Sequence, residues 1–393
     1  MPKVGIEPTI PKEHDFESCA SANSATSAGK QSITIPPNKV KMKLGIIGLP
    51  QSGKTTVFNA VTGGNTPTTA SAGRMEVHTA VVDVPDERVD KLSAMFKPKK
   101  TIYAKVTYAD IAGLEGGTAK SGISGQLLNQ LTQMDGFLLV VRGFTDENVP
   151  HPAGSIDPVR DAGSMLGELL INDLIAVERK LERLIEERKK GGTDKVINER
   201  QTALFKRLNE ALNANTPLRN LEFNPEEARE LASFGLLTRK PILTVFNMGE
   251  GQPAPEAKLD HASVALMGKL EMEIAQLSPS DAEVFMKEYG IEELSLSRMI
   301  RLSYDLLQLQ SFFTVGEDEV RAWTTRRGAS AVESAGEIHT DLQRGFVRAE
   351  VVAYDDLIAL GGMNEAKAKG KLRLEGKEYP VKDGDIMHVR FNL

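Results

Sequence analysis

The chain has 393 residues, with 48 Lys and Arg against 54 Asp and Glu and a formal net charge of −6. That length accommodates two or three domains with real cores, and the mild acidity gives no bulk attraction to nucleic acid, so no DNA partner is expected and any RNA contact must use a local patch. The single cysteine, Cys19, excludes an intrachain disulfide and a cysteine-based zinc site, while the lack of an apolar run of ~18 residues and of a secretory leader makes a cytoplasmic protein with no membrane partner the expectation.

Residues 1–41 are rich in Ser, Ala, Pro and Thr and carry no periodic apolar pattern, so they are expected to be a disordered extension. Met42 reads as the natural start. A short apolar run, Leu44 to Ile47, then ends at Gly48 and opens GLPQSGKT, Gly48 to Thr55. The spacing G-x-x-x-x-G-K-[ST] followed by a helix is the phosphate loop of P-loop NTPases. At ordinary glycine usage, a chain of this length meets the four fixed positions by accident roughly 1 to 2% of the time. Backbone N–H groups of Gln51, Ser52, Gly53, Lys54, Thr55 and Thr56 would turn toward phosphate at the helix N-terminus. Lys54 would bridge the β and γ phosphates, and the Thr55 hydroxyl would bind Mg²⁺.

A Thr/Ser/Gly-rich segment, Thr62 to Gly73, stands where a first switch loop belongs. Val77 to Val84 reads as a strand, and Thr101 to Asp110 as a single alternating strand running into Asp110-Ile111-Ala112-Gly113. That D-x-x-G would supply a Mg²⁺-associated Asp and a γ-phosphate-sensing Gly. Phe137 to Val141 is nearly all apolar, as in the interior of a parallel sheet. Leu170, Leu174, Val177, Leu181 and Leu184, then Ile197, Leu204, Leu208 and Ala211, keep heptad spacing around Gly191-Gly192. They predict a helical hairpin, either a projecting coiled coil or two helices packed on the body. The strand Pro241 to Phe246 leads into Asn247-Met248-Gly249-Glu250. Guanine-specific proteins carry N-K-x-D at this point, and its Asp accepts hydrogen bonds from guanine N1–H and the 2-amino group. Glu250 and Met248 in place of Asp and Lys argue against guanine specificity.

On these residues, together with VPDERVDKLSAMFKPKK and the block from SFFTVGEDEVRAWTTRRG to YPVKDGDIMHVRFNL, the chain from about Met42 onward resembles the YchF/Obg-like ATPase family. The resemblance implies an α/β fold: an OBG-type P-loop nucleotide-binding domain over 42–145 and 238–307, a helical coiled-coil insertion over 146–237, and a C-terminal β-grasp, ubiquitin-like TGS domain over 308–391, expected to have its own core. It also implies Mg²⁺-dependent hydrolysis of ATP in preference to GTP, association with ribosomes or ribosomal RNA, and catalysis resting on Lys54, Asp110 and Gly113, with Thr55 and Asp110 at the metal. Asn247, Met248, Glu250, Met267 and Gly268 would contact the base, the last two through backbone. Leu114 stands where Ras-like proteins orient water with glutamine, which implies slow turnover until a partner supplies the missing stabilisation. The family carries Asn at the position of Gln51, where related potassium-dependent NTPases ligate the ion, so potassium dependence stays open. The first-switch Mg²⁺ hydroxyl falls to Thr68, Thr69 or Thr79. Two functions compete, a nucleotide-controlled switch and a ribosome- or RNA-binding module with incidental turnover, with a GTPase as a further alternative. The module is favoured by the C-terminal basic residues Arg321, Arg326, Arg327, Arg344, Arg348, Lys367, Lys369, Lys371 and Arg373.

Overall fold

The computed structural model describes residues 43–64, 77–111, 123, 125–191, 194–256, 258–288, 291 and 293–392. In chain order these form β1 (Lys43–Ile47), α1 (Lys54–Thr62), β2 (His78–Asp83), α2 (Glu87–Phe96), β3 (Lys100–Ile102), β4 (Lys105–Asp110), α3 (Gly125–Thr132), β5 (Gly136–Arg142), α4 (Pro158–Lys190), α5 (Lys195–Asn213), α6 (Pro225–Leu231), β6 (Ile242–Asn247), β7 (Ser263–Leu266) and α7 (Gly268–Ala275). Then follow α8 (Pro279–Glu288), α9 (Ser295–Leu306), β8 (Leu309–Val315), β9 (Glu319–Arg326), α10 (Ala331–Ile338), α11 (Thr340–Arg344), β10 (Phe346–Ala353), α12 (Tyr354–Leu360), α13 (Met363–Ala368), β11 (Arg373–Glu375) and β12 (Asp385–Phe391). No described helix is long and apolar enough to cross a membrane.

The first sheet has the order β2-β4-β1-β5-β6-β7, parallel except for β2 at one edge. Its central strands are apolar on both faces because both are covered: every residue of β5 and β6 is buried. Register brings the functional positions to one edge. Ile46 lies opposite Asp110, Ile47 opposite Leu139, Arg142 opposite Asn247, and Asn247 opposite Leu266. The loops that follow these strands therefore open together at the carboxyl ends of a parallel sheet, where such folds bind ligands.

Asp157 caps α4 by accepting from the Arg160 N–H, Pro158 occupies its first turn, and Arg188, Lys189 and Lys190 complement the dipole at its end, where Gly191 takes a left-handed conformation. α4 and α5 pack as an antiparallel hairpin around Val177, Leu184, Leu204, Phe205 and Leu208, all buried, with Leu170, Leu174, Leu181 and Ala211 at the margin. Asn198 pins the register: its amide donates to the Leu184 carbonyl at 3.0 Å inside the pair. Ile197 departs from the heptad reading and is 44% exposed. In the first turn of α5 the inward position is taken by Asn198 instead.

The second sheet has the order β11-β10-β12-β8-β9-β3 and mixes antiparallel pairs with the parallel β12–β8 and β3–β9 contacts. One expectation needs correction here. The stretch Thr101 to Asp110 is not one strand: β3 leaves the first sheet and adds itself to β9, with Lys100 opposite Glu319 and Ile102 opposite Arg321. The C-terminal module has the core expected of it, around Phe312, Ala335, Val351 and Met387, but it also shares a second one with the nucleotide-binding part. One apolar cluster runs from Leu44, Val57 and Leu243 through Val89 and Leu92 of α2 to Phe313, Val320, Val352 and Ile386. Arg88 adds charge to this junction, donating to Asp86 and to Asp383 at 2.7 Å while its guanidinium lies 5.1 Å from the centre of the Phe313 ring.

Candidate nucleotide site

The loop between β1 and α1 is shaped by close approach. Gly53 has φ +88°, and a Cβ there would lie 2.1 Å from Asn247 Nδ2; at Gly48, φ +156°, it would lie 2.3 Å from the Val140 carbonyl oxygen. Neither position admits a side chain. Gln51 also takes a positive φ, 62°, and is exposed. The Val57 N–H donates to the Gly53 carbonyl, so the helix begins within the motif. Thr56, in its first turn, is half-buried.

Lys54 is 8% exposed and its ammonium donates to the carbonyls of Gly48 and Leu49 at 3.2 and 2.9 Å. Burial pulls its pKa down to about 8, opposed by the nearby Asp110. A cation held in so dry a place is a strong attractor for phosphate. Beside it, the Thr55 hydroxyl donates to Asp110 Oδ2 at 2.8 Å. Burial raises the Asp110 carboxyl above the usual carboxylate range, while the Thr55 hydrogen bond and the Lys54 charge pull it back. A hydroxyl and one carboxylate form the hard-oxygen set that Mg²⁺ takes when substrate phosphates and water complete its octahedron. Consistent with that partial set, no group of three or more His, Cys, Asp and Glu among the described residues could hold a metal by itself.

On the other side of the loop, Asn247 is 3% exposed and acts as a brace. Its Nδ2 donates to the Ser52 carbonyl at 3.2 Å and its Oδ1 accepts from the Gly268 N–H at 3.1 Å, tying the phosphate loop to the turn between β7 and α7. Met267 is the residue preceding that helix, and the Glu271 N–H donates to its carbonyl. Glu250 is exposed. Met248 is only 9% exposed, its N–H donates to the Leu266 carbonyl, and its sulfur lies 2.4 Å from where a Cβ on Gly143 would stand. Its side chain thus packs inward against the end of β5. Phe144, which the sequence reading does not single out, lines the same place: its ring edge is 3.6 Å from the Cβ position of Gly53, and its own Cβ is 3.4 Å from that of Gly249. Arg142 covers the ring at 4.6 Å. An aromatic residue two positions beyond the end of β5 was the available signal.

The structure therefore brings Gly48, Ser52, Gly53, Lys54, Thr55, Asp110, Asn247 and Gly268 together. Gly113, Leu114, Thr68 and Thr69 lie outside the described residues. Thr79 pairs with Ala109, one step from the His78–Asp110 pair, so its side chain leaves the sheet on the face opposite Asp110.

Comparison with known proteins agrees with this geometry. The family model described as "50S ribosome-binding GTPase" matches residues 43–177, and a C-terminal model of the YchF GTPases, described as a protein of unknown function, matches residues 309–392. The ribosome-binding ATPase YchF of Bacillus subtilis (strain 168) is 39% identical over 364 residues, covering 89% of this chain and 99% of that protein. The protein of the same name from Haemophilus influenzae is 40% identical over 363 residues, again covering 89% and 99%. The solved structure of the Schizosaccharomyces pombe YchF GTPase superposes with a TM-score of 0.77 at 30% identity, over 89% of this chain and 98% of that one. A phosphate loop with its lysine buried, a hydroxyl–carboxylate pair beside it and relatives matched over nearly their whole length lead to one conclusion: this chain belongs to the YchF family of P-loop proteins.

Proposed function

We propose that the chain is a Mg²⁺-dependent NTP hydrolase that takes ATP in preference to GTP and acts as a nucleotide-controlled switch on the ribosome. The observation that carries the hydrolase reading is the corner formed by Lys54, Thr55 and Asp110, where a buried ammonium and a hydroxyl–carboxylate pair stand within one turn of a helix N-terminus. Lys54 would neutralise charge on the transferred phosphoryl group, and backbone N–H groups of the loop would hold the remaining phosphate oxygens. Thr55 and Asp110 would hold Mg²⁺, which supplies charge neutralisation between the β and γ phosphates.

Two features support adenine: Glu250 replaces the Asp that rewards guanine, and Met248 is turned into the core rather than laid along a base, while Phe144 beside Gly53 would serve either purine. A ribosomal partner is supported by the names of the relatives from Bacillus subtilis and Haemophilus influenzae. The description of the matched N-terminal family model as a GTPase favours a second reading, guanine as substrate. The domain division that accompanies this proposal is a nucleotide-binding domain over 42–145 and 238–307, an insertion over 146–237 and a C-terminal domain over 308–391. Steady-state hydrolysis of ATP and GTP, with and without ribosomes, tests the whole. Ribosome-stimulated ATP turnover lost in Lys54→Ala supports the switch, and ribosome binding indifferent to nucleotide overturns it in favour of a binding module.

A further inference from the structure

We propose that Asp161 and Arg142 are positioning residues for the phosphate loop, acting on Ser52 through one water molecule held in a buried cavity at the foot of α4. A cavity of about 10 Å³ lies behind the loop, lined by Pro50 and Ser52, by Arg142 at the end of β5, and by His151 and Asp161 where the chain enters the helical insertion. That is the room one water centre needs. Ser52, Arg142 and Asp161 are 2%, 3% and 3% exposed. Ser52 Oγ and Arg142 Nη1 have no hydrogen-bond partner.

The other polar atoms of these side chains are engaged. Arg142 Nε donates to the Phe144 carbonyl at 3.1 Å and Nη2 to that of Val149 at 2.8 Å. Asp161 Oδ1 accepts from Arg160 Nε and Nη2 at 2.9 and 2.8 Å. His151 Nδ1 accepts from the Ala153 N–H at 3.1 Å, so its Nε2 faces Asp161 Oδ2 with the N–H, at 2.8 Å; that carboxylate oxygen keeps a further lone pair for the cavity. Ser52 Oγ and Arg142 Nη1, buried without a partner around a single cavity, are a costly arrangement. The chemistry of the lining selects the occupant. Arg142 opposes a cation and Asp161 opposes an anion, whereas a neutral dipole accepts from Arg142 Nη1, donates to Asp161 Oδ2 and pairs with the Ser52 hydroxyl, three bonds in all.

Ser52 is then held from two sides. Its carbonyl accepts from Asn247, and its hydroxyl is tied through the water to the first turn of α4. That helix is unbroken for 33 residues, about 50 Å at 1.5 Å per residue, so it links the tip of the hairpin to the back of the phosphate loop as one body. A partner that tilts the hairpin displaces Asp161 and loosens Ser52. This second step rests on the nucleotide-switch reading, whereas the bridge itself does not.

The test is a double-mutant cycle on the full chain, read by hydrogen–deuterium exchange of the peptide covering residues 49–55 in nucleotide-free protein and, separately, by ADP affinity. Asp161→Asn and Ser52→Ala should each speed exchange of the loop amides about tenfold, with exchange in β6 unchanged, and the double variant should be no faster than either single within about twofold. ADP affinity should fall in the same pattern. Effects that multiply, or an Asp161→Asn variant with wild-type loop exchange, overturn the bridge. If Asp161→Asn does not fold, Arg142→Lys takes its place in the cycle, since it keeps the charge and lacks Nη1. A wild type that binds no ADP while its exchange effects remain coupled overturns the nucleotide reading and leaves the bridge standing.

Discussion

Lys54 and Asn247 divide the work at the site. Lys54 carries the charge: Lys54→Ala should lower ATP turnover at least 100-fold, about 3 kcal/mol of lost transition-state stabilisation, as measured by steady-state phosphate release. Asn247 carries shape, holding Ser52 and Gly268 through opposite ends of one amide. Asn247→Ala leaves a buried carbonyl and a buried N–H short of a partner and should destabilise the protein by about 2 to 3 kcal/mol, read as a lower denaturant midpoint with an unchanged slope. The phosphate loop was legible in the sequence because its glycines, lysine and threonine work within eight consecutive residues. The inward turn of Met248 was not, since the space it fills is set by Gly143, just past the end of β5 and far away in sequence. For the same reason Met248→Lys would bury an ammonium in the core instead of laying a stem along a base. The specificity question therefore falls on Glu250, which is exposed and free to be shortened: Glu250→Asp should narrow the ratio of ADP to GDP affinity, and an unchanged ratio in competition titrations would move specificity to the backbone around Met267.

Among the elements, the hairpin shows how far periodicity reaches. Val177 and Leu184 on α4 face Leu204, Phe205 and Leu208 on α5, and heptad spacing announced all of these but Phe205. It could not announce Asn198, whose partner is a carbonyl 14 residues away across the turn. Leu184→Ala removes a fully buried side chain where the pair is thin and should cost about 2 to 5 kcal/mol of local stability. Hydrogen exchange in α4 and α5 should quicken accordingly, while nucleotide-free exchange in β6 stays as it was. A uniform rise through the molecule would mean that the hairpin does not open as a separate unit. β3 marks the opposite limit. Three residues are too few to show a period, and their partner lies more than 200 positions away in β9, so local reading fused them with β4.

At the scale of the molecule, the shared core decides how separable the C-terminal module is. Removing it strips β3 of its partner strand and exposes Val89 and Leu92 of α2, both fully buried. A chain ending before residue 308 should therefore be poorly soluble or markedly less stable than the whole, and a truncated chain that keeps the full-length melting temperature would show that the cluster through α2 contributes little. The P-loop domain was readable from its motifs, and the C-terminal sheet only through the resemblance of its block to a known family. The seam between them was not, because it is made by residues such as Arg88 and Asp383 whose meeting only the folded chain arranges.

The central claim is that this site, with Glu250 in place of the guanine-pairing Asp and Met248 turned into the core, serves adenine. Calorimetric titration of the full-length protein with ADP and with GDP in the presence of Mg²⁺ tests it most directly. ADP is expected to bind at least tenfold more tightly, a difference of about 1.4 kcal/mol, whereas equal affinities or a preference for GDP would contradict it.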